Sequence, residues 1–191
     1  MIRPAPGLAP LALALAACSQ AEDTQQSAGS PAATATPRAA PATSAATVGP
    51  SADTLTPEGL GDLVVGKPVP ADSSFKLREA QASDSCLIYS SPAHPGVYAI
   101  VEGGTLRRVT VGRGSRIKLV EGIGIGATEK EVLAAFPGFK SDPHTYVAAP
   151  AKYLTQPEND PRLRFEIGED GRVTDIHVGL VPQLLYVEGC A

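Results

Sequence analysis

The chain has 191 residues, a formal charge of −4, 5% aromatic residues and no tryptophan. That length suits one folded domain, or one domain and a tail. A mild negative charge with no basic run excludes the electrostatic footprint of a nucleic-acid binder, and so few aromatic rings leave little surface for stacking bases.

The first element is a targeting segment. Arg3 gives a thin positive start, Gly7 to Ala14 is a short apolar run, and Leu15-Ala16-Ala17-Cys18 follows. The run is too short to cross a bilayer as a mature helix. Leu-Ala-Ala-Cys resembles the lipobox of bacterial lipoproteins, which is cut before the cysteine. The resemblance implies that 1–17 is a signal peptide and that Cys18 becomes the lipidated N-terminus. Three acyl chains exceed the two signals that stable anchoring needs. Ser19 after the cysteine implies, in a Gram-negative cell, export to the inner leaflet of the outer membrane, facing the periplasm.

Residues 18–53 follow as a linker. From Ser19 to Asp53 there is no Leu, Ile, Phe or Tyr, and the charged residues are Glu22, Asp23, Arg38 and Asp53. Nothing in it offsets the entropy of ordering, so a disordered tether is expected. Its r.m.s. reach would be roughly 30–35 Å.

The folded part is predicted over 54–191. Thr56-Pro57-Glu58 reads as a helix start with proline at the first helical position, cut short by Gly59, Gly61 and Pro68. Strands are predicted over 75–80, 86–90 and 184–187. Two stretches align without gaps, 99–112 on 166–179. Ile100 matches Ile167, Gly104 matches Gly171, and Val109, Val111 and Gly112 match Ile176, Val178 and Gly179. Both read as strand, turn, strand. Glu58-Gly-Leu-Gly61 rhymes with Glu121-Gly-Ile-Gly124. A duplicated unit of roughly 65 residues is therefore expected, with approximate halves 55–120 and 121–191.

The best-marked helix follows a glycine-rich stretch, Gly122-Ile-Gly-Ile-Gly126. Thr128 and Glu131 form a capping box, and Pro137-Gly138 stops the helix after about two turns. Val132, Leu133 and Phe136 are expected to form its apolar face. In the second hairpin Leu163, Phe165 and Ile167 alternate with Arg164 and Glu166. On the return strand Ile176 and Val178 alternate with Asp175 and His177. That pattern predicts an antiparallel sheet with one buried face and one wet face. The expected class is α+β: two tandem units, each a short helix packed on antiparallel hairpins, preceded by the tether.

Residues 124–138 resemble the "Ile-Gly-small-Thr-x-x-Glu-Val, short helix, Pro-Gly" signature of outer-membrane assembly lipoproteins, and the tandem units resemble the β-lactamase inhibitor family. These resemblances imply a binding or assembly module, and no binding residue carries over from them.

Three cysteines divide into Cys18, the lipid anchor, and the pair Cys86 and Cys190. In an oxidising compartment the pair is expected to form a disulfide. Gly122-x-Gly-x-x-Ala127 matches a loose dinucleotide fingerprint, but the following helix is too short and no parallel unit follows. Its glycines are expected to allow close helix–sheet packing instead. Asp142-x-His144 and Asp175-x-His177 each bring a carboxylate near an imidazole. With a third ligand such a pair can hold a metal; as polar residues on a wet face they need none, and no metal or cofactor is expected. Ser141, Asp142 and His144 contain the atoms of a triad but crowd into one loop. Gly112-Arg-Gly-Ser-Arg116 is a basic turn.

The candidate binding face is Arg108, Thr110, Asp175 and His177, with Asp175 close enough to pair with Arg108. The expected function is that of a membrane-anchored, periplasm-facing, non-catalytic module that docks another envelope protein. It is not expected to be an enzyme or to bind nucleic acid. The alternative is an inhibitor of a periplasmic or host hydrolase using the sheet face or loop 90–96. The third reading is a small hydrolase or metal-binding protein using His144 or His177.

Overall fold

The structure, a computed structural model, describes residues 53–79 and 83–190. The expectations for Cys18, Ser19, the signal peptide and the tether lie outside the described residues.

The α+β expectation is overturned. The described residues form twelve strands in two sheets, with a single α-helix and a single 3-10 turn. The smaller sheet is made of β1 (Thr54–Thr56), β2 (Gly59–Leu60), β3 (Leu63–Val64) and β8 (Lys118–Leu119), in the order β3-β2-β1-β8. No helix starts at Pro57. Gly59 sits at φ +139°, and a Cβ there would lie 1.8 Å from the Leu63 carbonyl oxygen. Glycine alone fits that turn, and it drives the chain back on itself as β2 and β3.

The larger sheet runs β4-β5-β6-β7-β12-β11-β10-β9. Its first half is β4 (Lys76–Leu77), β5 (Cys86–Ser90), β6 (Val97–Glu102) and β7 (Thr105–Val111). Its second half is β9 (Lys140–Pro143), β10 (Lys152–Thr155), β11 (Arg162–Ile167) and β12 (Val173–Gly179). The halves meet where β7 pairs antiparallel with β12, Val111 opposite Ile176 and Thr110 opposite His177. Thr110 and His177 are the residues that the sequence repeat superposes, so the pairing is related to itself by an approximate two-fold axis at that position. A register shift interrupts each flanking hairpin, at Ile100/Val101 and at Glu166/Ile167. The matched glycines occupy the crowded ends of the seam. A Cβ on Gly112 would meet Asp175 Oδ1 at 2.5 Å, and one on Gly179 would meet the Arg107 carbonyl oxygen at 2.3 Å.

One face of the large sheet carries Ala99, Val109, Val111, Phe165, Ile176 and Val178, all buried. It packs on Leu55, Leu60, Leu63 and Leu119 of the small sheet and on Val132 of the helix. The helix α1 (Glu129–Ala135) has Thr128 as N-cap and the reciprocal Thr128–Glu131 capping box. It covers only part of the apolar face; the small sheet covers the rest. Leu133 stays 37% exposed, so the expected three-residue apolar face reduces to Val132 and Phe136. Of the glycines before it, Gly122 and Gly126 have open space around a Cβ, and Gly124 stands against Lys118. They shape turns and approach β8; they do not pack the helix on the large sheet. The strand expected over 184–187 is also absent. That stretch holds the 3-10 turn Gln183–Leu185.

Candidate functional site

The face opposite the core is not wet at its centre. Residues 180–190 run back across it as a strap, tied to β5 by the Cys86–Cys190 disulfide with Cα atoms 5.5 Å apart. Beneath the strap, Arg108 and Thr110 are wholly buried and His177 is 4% exposed. The expected binding face is therefore sealed, with Asp175 half-buried beside it. Arg108 does not pair with Asp175. Its guanidinium donates to the backbone oxygens of Gln183 (3.1 Å) and Tyr186 (2.6 Å) and to the Tyr98 hydroxyl (3.1 Å). Gln183 in turn donates to Glu102. Arg108 thus holds the strap by its carbonyls.

Next to it lies a hydrogen-bonded chain. Thr110 Oγ1 is 2.9 Å from His177 Nδ1, His177 Nε2 is 3.0 Å from Glu166 Oε1, and Glu166 Oε2 is 3.2 Å from His144 Nε2. The backbone N–H groups of Tyr146 and Val147 both point at His144 Nδ1, each at 3.2 Å. That nitrogen must accept, so the ring proton sits on Nε2 and donates to Glu166. His177 also donates from Nε2 to Glu166, and its Nδ1 accepts from Thr110. Burial holds His177 down at about 4, which keeps it neutral near pH 7. Burial raises Glu166, but the hydrogen bonds and charge of His177 and His144 outweigh it and leave the carboxyl at about 2. Asp175, opposite Glu166 across β11 and β12, is pushed up to about 6, by burial first and by the Glu166 charge second.

This geometry bears on two of the sequence-based readings. Thr110, His177 and Glu166 stand in the order hydroxyl, imidazole, carboxylate. Thr110 is fully buried, so no substrate carbonyl reaches it in this arrangement. Among the described residues no group of three His, Cys, Asp or Glu is arranged to hold a metal ion. A metal on His144 Nε2 would move the ring proton to Nδ1, where two amide protons already point. Ser141 and Asp142 lie on β9, Ser141 opposite Leu154 and Asp142 opposite Tyr153.

The strap leaves the outer strands open. A cleft of about 410 Å³ lies over β9, β10 and β11, between Leu185 of the strap and Thr145 of the 144–151 loop. Lys140, Asp142, Arg162 and Arg164 line it. Arg162 is engaged with Asp160 at 2.8 Å. Arg164 is the unusual member. It is 7% exposed, its guanidinium lies 3.7 Å above the Tyr153 ring, and its Nε has no hydrogen-bond partner. Its guanidinium donates to the Leu184 oxygen at a long 3.5 Å. Burial lowers its pKa, against the pull of Tyr153, Glu166 and Asp142. Exposed apolar side chains edge this region, Leu185 at 43% and Tyr146 at 66%.

The sequence named Arg164 and Glu166 only as outward-facing residues, and it missed Tyr153 because β10 carries just four residues of weak alternation. The nearest signal was the run of charged residues at alternate positions, Arg162, Arg164 and Glu166, on a strand too short to be wet throughout.

No protein-family model matches this chain, and no curated protein matches it. Among solved structures, the crystal structure of the uncharacterized protein yfeY from Escherichia coli is similar at 14% identity and a TM-score of 0.40. The match covers 66% of this chain and 99% of that one.

Proposed function

We propose that this chain is a lipid-anchored envelope protein, held through Cys18 and the 18–53 tether, that acts as a non-catalytic docking module for another envelope protein. The lipobox-like Leu15-Ala16-Ala17-Cys18 supports the anchor, and Ser19 supports a place in the outer membrane facing the periplasm. The cleft over β9–β11 is its docking site. The observation that carries this reading is the open cleft itself, lined by Lys140, Asp142 and Arg164 and edged by the exposed side chains of Leu185 and Tyr146.

Two measurements test the reading. Substituting Cys18→Ser should move the protein from the membrane to the soluble envelope fraction; unchanged partitioning would remove the anchor. A photo-crosslinking residue at Thr145, on the cleft rim, should capture a discrete partner in cells. One at Val120, 70% exposed and outside the cleft lining, should not. Equal capture from both positions would refute the cleft as the docking site.

A further inference from the structure

We infer that the loop over 144–151 is a proton-operated flap on the rim of the cleft over β9–β11: neutral His144 holds it against the sheet, and protonation of His144 releases it. The flap stands on the geometry around His144, and its effect on a partner rests on the docking role proposed for this cleft.

His144 caps the start of the loop. Its Nδ1 accepts from the N–H groups two and three residues on, Tyr146 and Val147, each at 3.2 Å. A side chain that caps the following turn in this way is usually Asn or Asp, whose oxygen remains an acceptor around neutral pH. An imidazole can fill that place only while it is neutral, because both ring nitrogens of the cation are donors. A proton on Nδ1 would face two amide protons, so both bonds must break.

The surroundings decide that the loop moves and the ring stays. Nε2 donates to Glu166 of β11 at 3.2 Å, and the ring stacks on Tyr153 of β10 with centroids 4.6 Å apart. A positive charge on the ring strengthens both contacts. The other charged groups on the elements around it are Asp142 of β9, opposite Tyr153, and Arg164 of β11, 3.7 Å over the Tyr153 ring. Across Glu166 stand His177 and Asp175 of β12. Lys152 of β10 is engaged with Glu129. Burial keeps His177 neutral, so His144 is the partner of Glu166 that can take the proton. Its side chain is 10% exposed, which gives protons access. The loop itself is loosely held. Residues 145–150 are all exposed. Their other ties include contacts of 3.4 Å between Thr145 and the Tyr153 hydroxyl, and a surface bond from the Tyr146 hydroxyl to Glu188 of the strap. Thr145 lines the cleft, so release of the loop widens the cleft at that wall.

The test uses the full chain with its disulfide intact, followed by nuclear magnetic resonance. Imidazole nitrogen spectra at about pH 8, above the ordinary imidazole range, should show His144 with its proton on Nε2. Lowering the pH to about 5 should protonate Nδ1 as well. The amide signals of Tyr146 and Val147 should shift with the same midpoint. Their hydrogen-exchange protection factors should fall by at least about fivefold, the change that one net hydrogen bond corresponds to. His144→Asn keeps an acceptor for the two amides and cannot take the proton, so its loop should stay protected at both pH values. Should that variant not fold, the titration of the parent protein decides alone. Amides that keep their shifts and protection while His144 protonates would overturn the inference. So would a His144 that stays neutral to the acid end of the titration, or a loop that loosens as much in His144→Asn as in the parent. A Thr145 crosslink obtained with the amides fixed would leave the docking role standing without the flap. Loop release with no capture at Thr145 would uphold the flap and remove the docking role.

Discussion

Asp175 and His177 share one strand face two residues apart, and the same burial drives their protons in opposite directions. Folding raises Asp175 to about 6. The folded protein therefore holds a proton that the unfolded chain releases above about 3.9, and stability from this group falls as pH rises from about 4 to 6. Folding lowers His177 to about 4. The unfolded chain takes up a proton below about 6.5 that the folded protein refuses, so stability from this group falls as pH drops from about 6.5 to 4. Each slope is about 1.4 kcal/mol per pH unit, and over pH 4–6 they oppose one another. The charges that face the pair are Arg108 and Arg113 on the Asp175 side, Arg108 and Arg164 on the His177 side, and Glu166 between them. The parent protein should show an almost flat urea midpoint across that window. Asp175→Asn removes one slope. It should be the more stable protein at pH 7 and should lose stability steadily from pH 6.5 to 4. A flat profile in the variant would show that His177 is not held neutral by the fold. Glu166 acts lower down, since its carboxyl at about 2 contributes stability that is lost as pH falls from about 4.5.

At the scale of elements, the strap is what turns a polar sheet face into a second interior. Its carbonyls at Gln183 and Tyr186 take the donors of Arg108, and Cys190 ties its end to Cys86. The bridge spans a sequence separation of 104 residues. Chain entropy alone then gives up to about 4.7 kcal/mol. Replacing both cysteines with serine should lower stability by a few kcal/mol. Hydrogen exchange should show the loss first at the strap, at the amides of Leu184, Leu185 and Tyr186, with β11 and β12 still protected. Uniform loss over the sheet would mean that the strap is part of the main folding unit. The same element explains what could be read from the residues and what could not. Alternation at Arg164, Glu166, Asp175 and His177 marks a polar face, because strand periodicity is local. Whether water or chain covers that face depends on contacts like Arg108 with Tyr186, 78 residues away, which leave no periodic trace. The Thr128–Glu131 cap was legible for the opposite reason, since its whole geometry lies within four residues. The expected first-half helix failed at Gly59, where a turn demanded by close approach to Leu63 overrode a plausible proline start.

For the whole molecule, the central question is whether the two halves of the large sheet are domains or parts of one. β7 and β12 are inner strands of an eight-stranded sheet, and their pairing is where the two halves of that sheet meet. Separating them would expose an unpaired edge on both sides, next to Val109, Val111, Ile176 and Val178, which are 0% exposed in the intact protein. The small sheet, with Leu55, Leu60 and Leu119, belongs to the first half, but its core contacts include residues of β11 and β12. Arg108 would keep its charge and lose both strap carbonyls. A segment of about 70 residues is marginal even with its core complete, because so little of its surface is buried. The fragments 54–120 and 121–191 should therefore each give narrow amide dispersion in a proton–nitrogen correlation spectrum. Mixed together, they should regain dispersion, since the β7–β12 edges are complementary and their pairing restores the core. A well-dispersed spectrum from either fragment alone would show that the repeat built two domains and that the seam is only a contact between them. Narrow spectra that broaden into native dispersion on mixing would place the folding unit at the level of the whole sheet, with the Thr110–His177 pair at its centre.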